Sequence, residues 1–299
     1  MKVAAVFINL LYFLLLAPLL EGVMRKITAR IQSRQGPPLY QPYLDLIKLL
    51  GKENLNAAGH RAFRLAPLLA FASILAVVAL LPFGGGSNFL AHSSDLMTLI
   101  YFLTLSGFAV LLGALASGNP FASVGASREM MTIIMLEPVL AMTLILGAVR
   151  SGSFSLAEAL GGVAAPGELS YFLMLAVFLV ALQAFVSRQP FDIPEAEVEI
   201  LEGPYMEYSG PDYALFRYAL NIKRMFYGWL LAAGFLGSWL PGNLILSWLV
   251  QTILILLIFV AISVVGATHP RYRMDQALKY YAVLMILALI AVGFGVKGW

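Results

Sequence analysis

The chain alternates between long apolar stretches and shorter polar connections from one end to the other. Eight stretches approach the roughly 20 mostly apolar residues that a helix needs to cross a hydrocarbon core of about 30 Å. They predict helices, because the other regular structure that spans lipid, a β-barrel, consists of short strands of alternating polarity. The eight predicted spans are approximately Val3–Leu20, Leu65–Phe83, Leu96–Ala116, Met131–Val149, Tyr171–Ser187, Ala219–Leu240, Leu244–Gly266 and Leu278–Val296.

The composition supports the same conclusion. Hydrophobic residues make up 61% of the 299 residues and charged residues 12%, whereas a soluble domain contains roughly 25% charged residues. We therefore expect an all-α integral membrane protein with one domain, residues 1–299, in which eight transmembrane helices form a bundle. Two long polar loops, residues 21–64 and 188–218, are expected on the same side of that bundle.

Positive charge is distributed unevenly between the connections. The odd-numbered connections hold 16 of the 19 Lys and Arg residues, so the positive-inside rule places them in the cytoplasm and both termini outside. Trp239, Trp248 and Trp299 then lie at outer helix ends, where interfacial tryptophans are common. No A-x-A cleavage site follows the first span, so we expect that span to be retained.

The first long loop contains a segment with the pattern of an amphipathic helix, Tyr43–Lys52. The segment predicts a helix that lies at the membrane surface or roofs a cavity. An equally good interpretation is a solvated connector whose charges only fix the orientation of the protein. The expected apolar face holds Leu46, Leu49 and Leu50, opposite Asp45, Lys48 and Lys52.

Negative charge is concentrated in the segment from Arg188 to Asp212, which we call the acidic loop. It holds seven of the chain's 16 carboxylates and no Lys or Arg between them, and without these seven the net charge of +3 would be +10. Two carboxylates about 4 Å apart repel by about 4 kcal/mol at an effective dielectric of about 20, or roughly three pKa units. We therefore expect them to titrate as a coupled set and to handle protons. They are Asp192, Glu195, Glu197, Glu199, Glu202, Glu207 and Asp212.

Part of the acidic loop also fits ordinary helix capping. Asp192 can cap a helix, and the next two carboxylates then fall in a first turn, where negative charge is favourable. On that helix Glu195, Glu199 and Glu202 recur at i, i+4 and i+7, which places like charges on one face and is destabilising. Glu199, Glu202 and Glu207 are therefore the stronger candidates for proton handling within the loop.

The fourth predicted span carries two further carboxylates. Glu129 lies at the cytoplasmic end of this span. A glutamate in the first turn of a helix also interacts favourably with the helix dipole, which is an ordinary structural role. Glu137 lies inside the span, and Pro138 leaves the carbonyl of Ile134 without its helical donor. Because a mid-membrane carboxylate costs about 2.5–3.5 kcal/mol, such residues usually face a bundle interior and serve a path. We favour that role for Glu137 over a neutral side chain bonded to a neighbouring helix.

Several kinds of chemistry have no residues to support them. The chain has no cysteine and three scattered histidines, so it offers no ligands for a cysteine-bound iron–sulfur cluster and no histidine pair at haem or zinc spacing. Neither a glycine-rich phosphate loop nor a nucleophile elbow is present. We expect no catalytic residue, cofactor or metal site on this chain, and any electron carriers would lie on other proteins.

The acidic loop reads RQPFDIPEAEVEILEGPYMEYSGPDYALF from Arg188 onward and resembles the signature loop of one family. This is the membrane subunit that joins the redox arm to the pump arm in respiratory NADH:quinone oxidoreductase. The family pattern R-x-P-F-D-x-P-E-A-E-x-E-L-x-x-G-x-x-x-E-Y-S-G is met up to Gly210, with Ile200 in place of the usual Leu. The first loop matches at Glu21, Arg25, Lys26, Ala29, Arg30, Gln32, Arg34, Gly36, Pro37, Gln41, Pro42 and Asp45, and in the run IKLLGKE that ends at Glu53.

Two departures from the quinone-using members point to another branch of the family. Only the segment 38–40 lies between the G-P and Q-P pairs of the first loop, where quinone-using members carry a longer stretch. The run PFASVGASREMMTIIMLEP is similar to the homologous subunit of membrane-bound, energy-converting nickel–iron hydrogenases of the formate hydrogenlyase type. This resemblance places Glu129 on the family's fourth-helix glutamate and makes Glu137 a feature of the hydrogenase branch.

The resemblance implies a subunit without a redox centre that couples electron transfer in a docked hydrogenase-like module to proton or sodium translocation. The nickel–iron centre and iron–sulfur clusters would lie on partners at the cytoplasmic face, namely hydrogenase large and small subunit-like proteins and an iron–sulfur subunit. Antiporter-like membrane subunits would complete the complex in a prokaryotic cell (inner) membrane, with no nucleic acid involved. The ion path would comprise Glu129, Glu137 and the seven loop carboxylates, and the docking surface and cavity Glu21, Arg25, Arg30, Arg34, Asp45, Lys48 and Arg188.

Three alternatives stay open. The same architecture could hold a quinone, as in an NADH or ferredoxin:quinone oxidoreductase. It could equally serve a ferredoxin-linked sulfur-reducing complex. In a different class, the chain could be an autonomous ion transporter, although it shows no inverted repeat, which is common among transporters.

Overall fold

The structure is a computed structural model that describes residues 2–55, 57–82 and 94–298, with the side chains of residues 2–5, 197, 198 and 244 left undescribed. Within these residues the chain forms eleven α-helices and no sheet, so the predicted all-α class is confirmed. The helices are α1 (Lys2–Ile31), α2 (Gln41–Leu50), α3 (Arg61–Leu80), α4 (Leu96–Ala116), α5 (Pro120–Ser151), α6 (Leu156–Val163), α7 (Leu169–Phe185), α8 (Glu197–Ile200), α9 (Gly210–Trp229), α10 (Leu244–Thr268) and α11 (Met274–Lys297).

Each of the eight predicted spans coincides with a helix. Phe83, the predicted end of the second span, and Trp299, a predicted interfacial anchor, lie outside the described residues. Six helices in the described part of the chain, α1, α3, α4, α5, α10 and α11, are long and apolar enough to cross a membrane. The apolar helix α7 has 17 residues, slightly fewer than the roughly 20 that a full span needs. The other helix, α9, carries several charges. The count of eight is therefore approximate.

Two helices extend well beyond the apolar stretches that predicted them. We expected the first loop to begin at residue 21, but α1 continues to Ile31. We expected the fourth span to begin at Met131, but α5 begins at Pro120, where the side chain of Asn119 accepts a hydrogen bond of 2.8 Å from the backbone of Phe121. A helix ends where other groups cap its terminal backbone N–H and C=O groups, not where its side chains become polar. Charged residues of the first predicted loop, and Arg128 and Glu129 before the fourth predicted span, therefore lie on helices.

The predicted amphipathic helix in the first loop is confirmed as α2. Leu46 is buried against the bundle, and α2 packs on α1 and α9. Leu50 is exposed together with Leu44 and Ile47, so its place on the predicted apolar face rests on the helical pattern and not on packing within the chain. Chain segment 36–40 crosses α1 at Gly22, where a Cβ atom would lie 2.1 Å from the carbonyl oxygen of Leu39, so only glycine permits this path.

The acidic loop folds differently from the helix that its sequence suggested. Before α9 begins at Gly210, its only α-helix is the single turn α8, which has no side-chain cap. The helix stops because Leu201 and Gly203 both adopt positive φ, 58° and 54°. The predicted stacking of Glu195, Glu199 and Glu202 on one helical face is therefore wrong. Asp192 does not cap a helix either; its carboxylate binds Arg271 at 2.7 Å.

A close contact with α5 fixes the acidic loop on the bundle. A Cβ atom added to Gly125 would lie 2.7 Å from Pro204 and 2.8 Å from the backbone of Gly203. The Gly125→Ala variant is therefore expected to destabilise the protein by about 1–3 kcal/mol, as overpacking against backbone usually does. A thermal unfolding scan checks this, with Gly293→Ala as the control because a Cβ there meets nothing within 4 Å. Equal Tm values for the two variants would contradict the contact.

Helix α9 lies at the centre of the bundle, in contact with α1, α2, α3 and α10. It continues from Trp229 into a π-helical segment, Leu230–Phe235, whose last carbonyl accepts a hydrogen bond of 3.1 Å from the Tyr171 hydroxyl. It carries Arg217, Lys223 and Arg224 along its length. This helix therefore places three positive charges among the surrounding helices.

Candidate ion path

A buried glutamate and three arginines form the centre of the candidate site. Glu21 in α1 is 4% exposed. One of its oxygens accepts from Arg25 at 3.1 Å, and the other accepts from Arg188 and, at 3.5 Å, from Arg224. Because a buried carboxylate is costly unless it is paired and hydrogen-bonded, this arrangement holds Glu21 in place as an anion.

The cluster continues outward to the amphipathic helix. Arg25 donates to Asp45 of α2 at 2.9 Å, and Gln41 donates to the other oxygen of the same carboxylate at 2.9 Å. Burial acts to raise the pKa of Asp45, but the hydrogen bonds from Gln41 and Arg25 outweigh it and hold that pKa below its ordinary value. Helix α2 is thus attached to α1 by an ion pair as well as by packing.

The cluster also continues inward from Arg224. Glu195 of the acidic loop lies 3.8 Å from the Arg224 guanidinium. Glu195, Asp192 and Glu129 then line one small cavity together with Tyr205. Burial and the neighbouring charges of Glu195 and Glu129 raise the pKa of Tyr205 well above its ordinary value, as expected for a hydroxyl in a negatively charged interior.

A lysine on α9 links this cavity to the middle of α5. Lys223 interacts electrostatically with both Glu129 and Glu137 and also with Tyr227. One oxygen of Glu137 accepts a hydrogen bond of 2.8 Å from Thr104. The other oxygen is buried and has no hydrogen-bond partner among the described residues, so it is free to accept a proton or an ion.

These ion pairs and electrostatic neighbours form one series of ionisable side chains, which we call the charge row. Positive and negative residues alternate along most of it, from the surface helix α2 into the interior of the bundle. Neighbouring charges along the row respond to one another, because their interaction is strong where water is scarce. The charge row comprises Asp45, Arg25, Glu21, Arg188, Arg224, Glu195, Glu129, Lys223 and Glu137.

The other carboxylates of the acidic loop are distributed among separate partners. Glu199 pairs with Arg128 at 2.6 Å and Glu202 accepts from Tyr213 at 3.0 Å, and both glutamates are exposed. Glu207 accepts from Asn119, Asp212 accepts from Asn54 at 2.7 Å, and the side chain of Glu197 lies outside the described residues.

This placement reverses the order of the candidates within the loop. The sequence favoured Glu199, Glu202 and Glu207, but Asp192 and Glu195 are the ones that reach the interior cavity. Burial raises the pKa of Asp192 above its ordinary value although Arg271 binds it. Asp192 is thus an acidic group that takes up a proton more readily than a surface aspartate does.

Several of the predicted docking residues line two cavities beside the charge row. Arg34 lines a cavity of about 570 Å³ between α1 and α10. Lys48 lines a cavity of about 240 Å³ between α2 and α9, together with Arg217. Arg30 lies in the last turn of α1 and lines neither of these two cavities.

Sequence reasoning missed the contribution of α9. The count of positive charges in the odd-numbered connections included Lys223 and Arg224, although both lie inside the predicted span Ala219–Leu240. Charged residues within a membrane span are rare and usually face a path or a partner, so their position was a usable signal. Thr104 gave no signal, because hydroxyl side chains are common in membrane helices.

No group of three potential metal ligands occurs in the part of the chain that the structure describes. The site as described consists of ion pairs and hydrogen bonds.

The fold and the charge row define a polytopic helical membrane protein in which ionisable side chains extend from one surface into the bundle. The family profile described as NADH dehydrogenase matches residues 3–295, and the chain belongs to this family. The expected family resemblance is thus confirmed.

Known relatives come from several kinds of membrane complex. The chain is 31% identical to formate hydrogenlyase subunit 4 of Escherichia coli (strain K12), over 92% of each chain. It is 33% identical to a subunit of the NADH-quinone oxidoreductase of Brevibacillus brevis, over 94% of this chain and 91% of the relative. A solved structure of the membrane-bound sulfane sulfur reductase, an archaeal respiratory membrane complex, contains a similar chain with a TM-score of 0.84 and 26% identity, covering 98% of this chain and 99% of that one.

Proposed function

We propose that this chain is the membrane subunit of a multisubunit ion-pumping oxidoreductase and couples electron transfer in a docked nickel–iron hydrogenase-like module to proton or sodium translocation. The observation that carries the proposal is the charge row, which joins the surface helix α2 to Glu137 inside the bundle. The relatives support the setting, because they are subunits named for formate hydrogenlyase, NADH-quinone oxidoreductase and a sulfane sulfur reductase.

The coupling begins at the surface formed by α2 and the acidic loop. Electrons from a low-potential donor, ferredoxin or formate, reduce protons at the partner's nickel–iron site on the cytoplasmic side. Each transfer changes the charge next to this surface. The nearest members of the charge row, Asp45 and Arg25, register that change through their ion pair, and Glu21 transmits it to Arg188 and Arg224.

The inner half of the charge row converts this signal into ion movement. When Arg224 interacts more strongly with Glu21, it neutralises Glu195 less, and the acidic cavity binds a cation or proton more tightly. Lys223 then exchanges its main interaction between Glu129 and Glu137. The oxygen of Glu137 that lacks a partner receives the ion, and antiporter-like subunits carry it across the membrane.

The hydrogenase setting is supported over a quinone reductase by the relative named formate hydrogenlyase subunit 4 and by the shortened segment 38–40 of the first loop. The cavity between α2 and α9 agrees with this, because charged side chains form much of its lining: Arg25, Asp45, Lys48, Lys52 and Arg217. The long apolar tail of a quinone suits a mostly apolar lining instead.

A sulfur-reducing complex is the second candidate, and the solved structure with a TM-score of 0.84 favours it. Its membrane part would work through the same charge row, because only the soluble partner differs. An autonomous transporter is disfavoured, since the charge row begins at a surface helix and an acidic loop, where a partner would deliver the signal.

The decisive experiment supplies reduced ferredoxin or formate to the purified complex in liposomes. We expect hydrogen evolution accompanied by uptake of protons or sodium ions, with no effect of quinone-site inhibitors. Sulfide formation from polysulfide without hydrogen evolution would move the protein to the second candidate. Quinone reduction, or ion flux by this chain alone without any donor, would overturn the proposal.

A further inference from the structure

A second cavity lies beside the charge row, at the end of α1 that carries its arginines. Its volume is about 570 Å³. Met24 and Thr28 of α1 form one wall, and Ile262, Ser263 and Gly266 of α10 form another. Both helices end close to this point, α1 at Ile31 and α10 at Thr268. The cavity is therefore at the depth where a membrane helix leaves the hydrocarbon and meets lipid headgroups.

The lining of this cavity is strongly basic. Four arginines contribute to it, whereas Asp192 is the only carboxylate among the described lining residues. They are Arg25, Arg34, Arg188 and Arg271.

Two of these arginines, Arg188 and Arg271, have a buried guanidinium nitrogen that the protein leaves unpaired, and a third, Arg34, is exposed. Arg34 makes no ion pair within the described part of the chain. The Nε atoms of Arg188 and Arg271 are buried and have no hydrogen-bond partner there. Because buried donors are nearly always paired, by protein or by another molecule, these atoms indicate a missing acceptor.

The position of Arg34 is built into the fold. Its backbone N–H donates to the carbonyl of Ala29 at 2.7 Å, which folds the chain back over the last turn of α1. Gly36, with φ of 68°, packs so closely that a Cβ atom would lie 2.7 Å from the Cβ of Ala29. Arg34 therefore extends from a tight turn at the rim of the cavity, which fixes where its charge lies.

We propose that this cavity binds a phosphate group, with the guanidinium groups of Arg34, Arg188 and Arg271 as its donors. Arginine suits this ligand because its planar fork donates two hydrogen bonds to adjacent phosphate oxygens. The phosphate belongs either to the headgroup of an anionic phospholipid or to a free anion. Basic cavities between membrane helices on the inner side commonly hold lipid headgroups, and the neighbouring side chains of Val264 and Val265 on α10 are exposed, as lipid contacts would be.

The proposal shares Arg188 with the charge row but does not require ion movement, and it is tested on the purified complex. Native mass spectrometry counts phospholipids retained after exchange into nanodiscs of phosphatidylglycerol or phosphatidylcholine, and a parallel titration of delipidated complex with inorganic phosphate follows the Tm. The test variant is Arg34→Gln. Arg64→Gln is the matched control, because it removes the same charge at the exposed start of α3, away from the cavity. Arg34→Lys tests whether charge alone suffices.

A lipid headgroup is supported if the wild type retains one phosphatidylglycerol and this retention is weakened about tenfold in Arg34→Gln but not in Arg64→Gln. Stabilisation of the wild type by phosphate, lost in Arg34→Gln and without any retained lipid, supports a free anion. Equal retention of neutral and anionic lipids together with no response to phosphate would mean that water or a partner's side chain fills the cavity. That result would overturn the proposal.

Discussion

Replacing Glu137 by Gln in the assembled complex is expected to lower the number of ions translocated per electron pair by about a hundredfold, the lower end of what a positioned proton-transferring group contributes. The substitution keeps the size and the hydrogen bond from Thr104 but removes the charge that interacts with Lys223. The measurement is ion uptake into liposomes relative to product formed by the redox module. Unchanged coupling would exclude Glu137 from the path.

The control for this experiment needs a glutamate outside the charge row. Glu158 in the short helix α6 is exposed, so Glu158→Gln is expected to leave coupling unchanged. Glu168 is unsuitable, because it pairs at 3.1 Å with Arg150, whose side chain is 7% exposed. A third variant, Glu137→Asp, keeps the charge on a shorter side chain and should restore part of the ion flux. Equal losses in Glu137→Gln and Glu158→Gln would indicate a general effect on assembly.

The membrane helices could be predicted because lipid imposes a simple requirement on sequence. A span must be apolar over about 20 residues and must satisfy its own backbone, and both conditions can be read from local composition. The same criterion gave span ends, at Leu20 and at Met131, that lie inside the longer helices α1 and α5. Polar residues continue a helix whenever no cap ends it, so composition marks the membrane boundary and not the helix boundary.

The acidic loop shows why a charge pattern predicts a site only in part. Its carboxylates were expected to repel one another because no basic residue lies among them in sequence. In the structure, Asp192 and Glu199 find arginines 79 and 71 residues away in the chain, Arg271 and Arg128. Such pairs depend on helix packing, which no local pattern contains. The concentration of charge was real, but its consequence was pairing with distant partners.

The centre of the site could be predicted in part. Glu21 and Arg25 are four residues apart, so a helix through both places them on one face. Their ion pair could therefore have been predicted from the sequence if α1 had been expected to continue past Leu20. Lys223 and Arg224 stood out as charges within a span. That these residues meet one another depends on the crossing of α1, α9 and the acidic loop, and only the three-dimensional structure supplies it.

Replacing Glu21 by Gln is expected to destabilise the protein by about 3–5 kcal/mol, the usual cost of removing one partner from a buried ion pair. The variant leaves Arg224, whose side chain is 3% exposed, without the carboxylate that offsets its burial. Arg188 and Arg25 lose the same partner. The expected result is a lower Tm and a lower yield of assembled complex, measured beside Glu53→Gln, a substitution of an exposed glutamate.

The double variant Glu21→Gln/Arg224→Gln separates electrostatics from packing. If the cost of Glu21→Gln comes from an uncompensated buried charge, removing the Arg224 charge as well should recover part of the lost stability, so the two effects are non-additive. If Glu21 only fills space, the two losses should add. A Tm for Glu21→Gln equal to that of Glu53→Gln would contradict the ion-paired cluster. Because the charge row passes through Glu21, non-additivity would also establish that a change at α1 is felt at α9, the coupling that ion translocation requires.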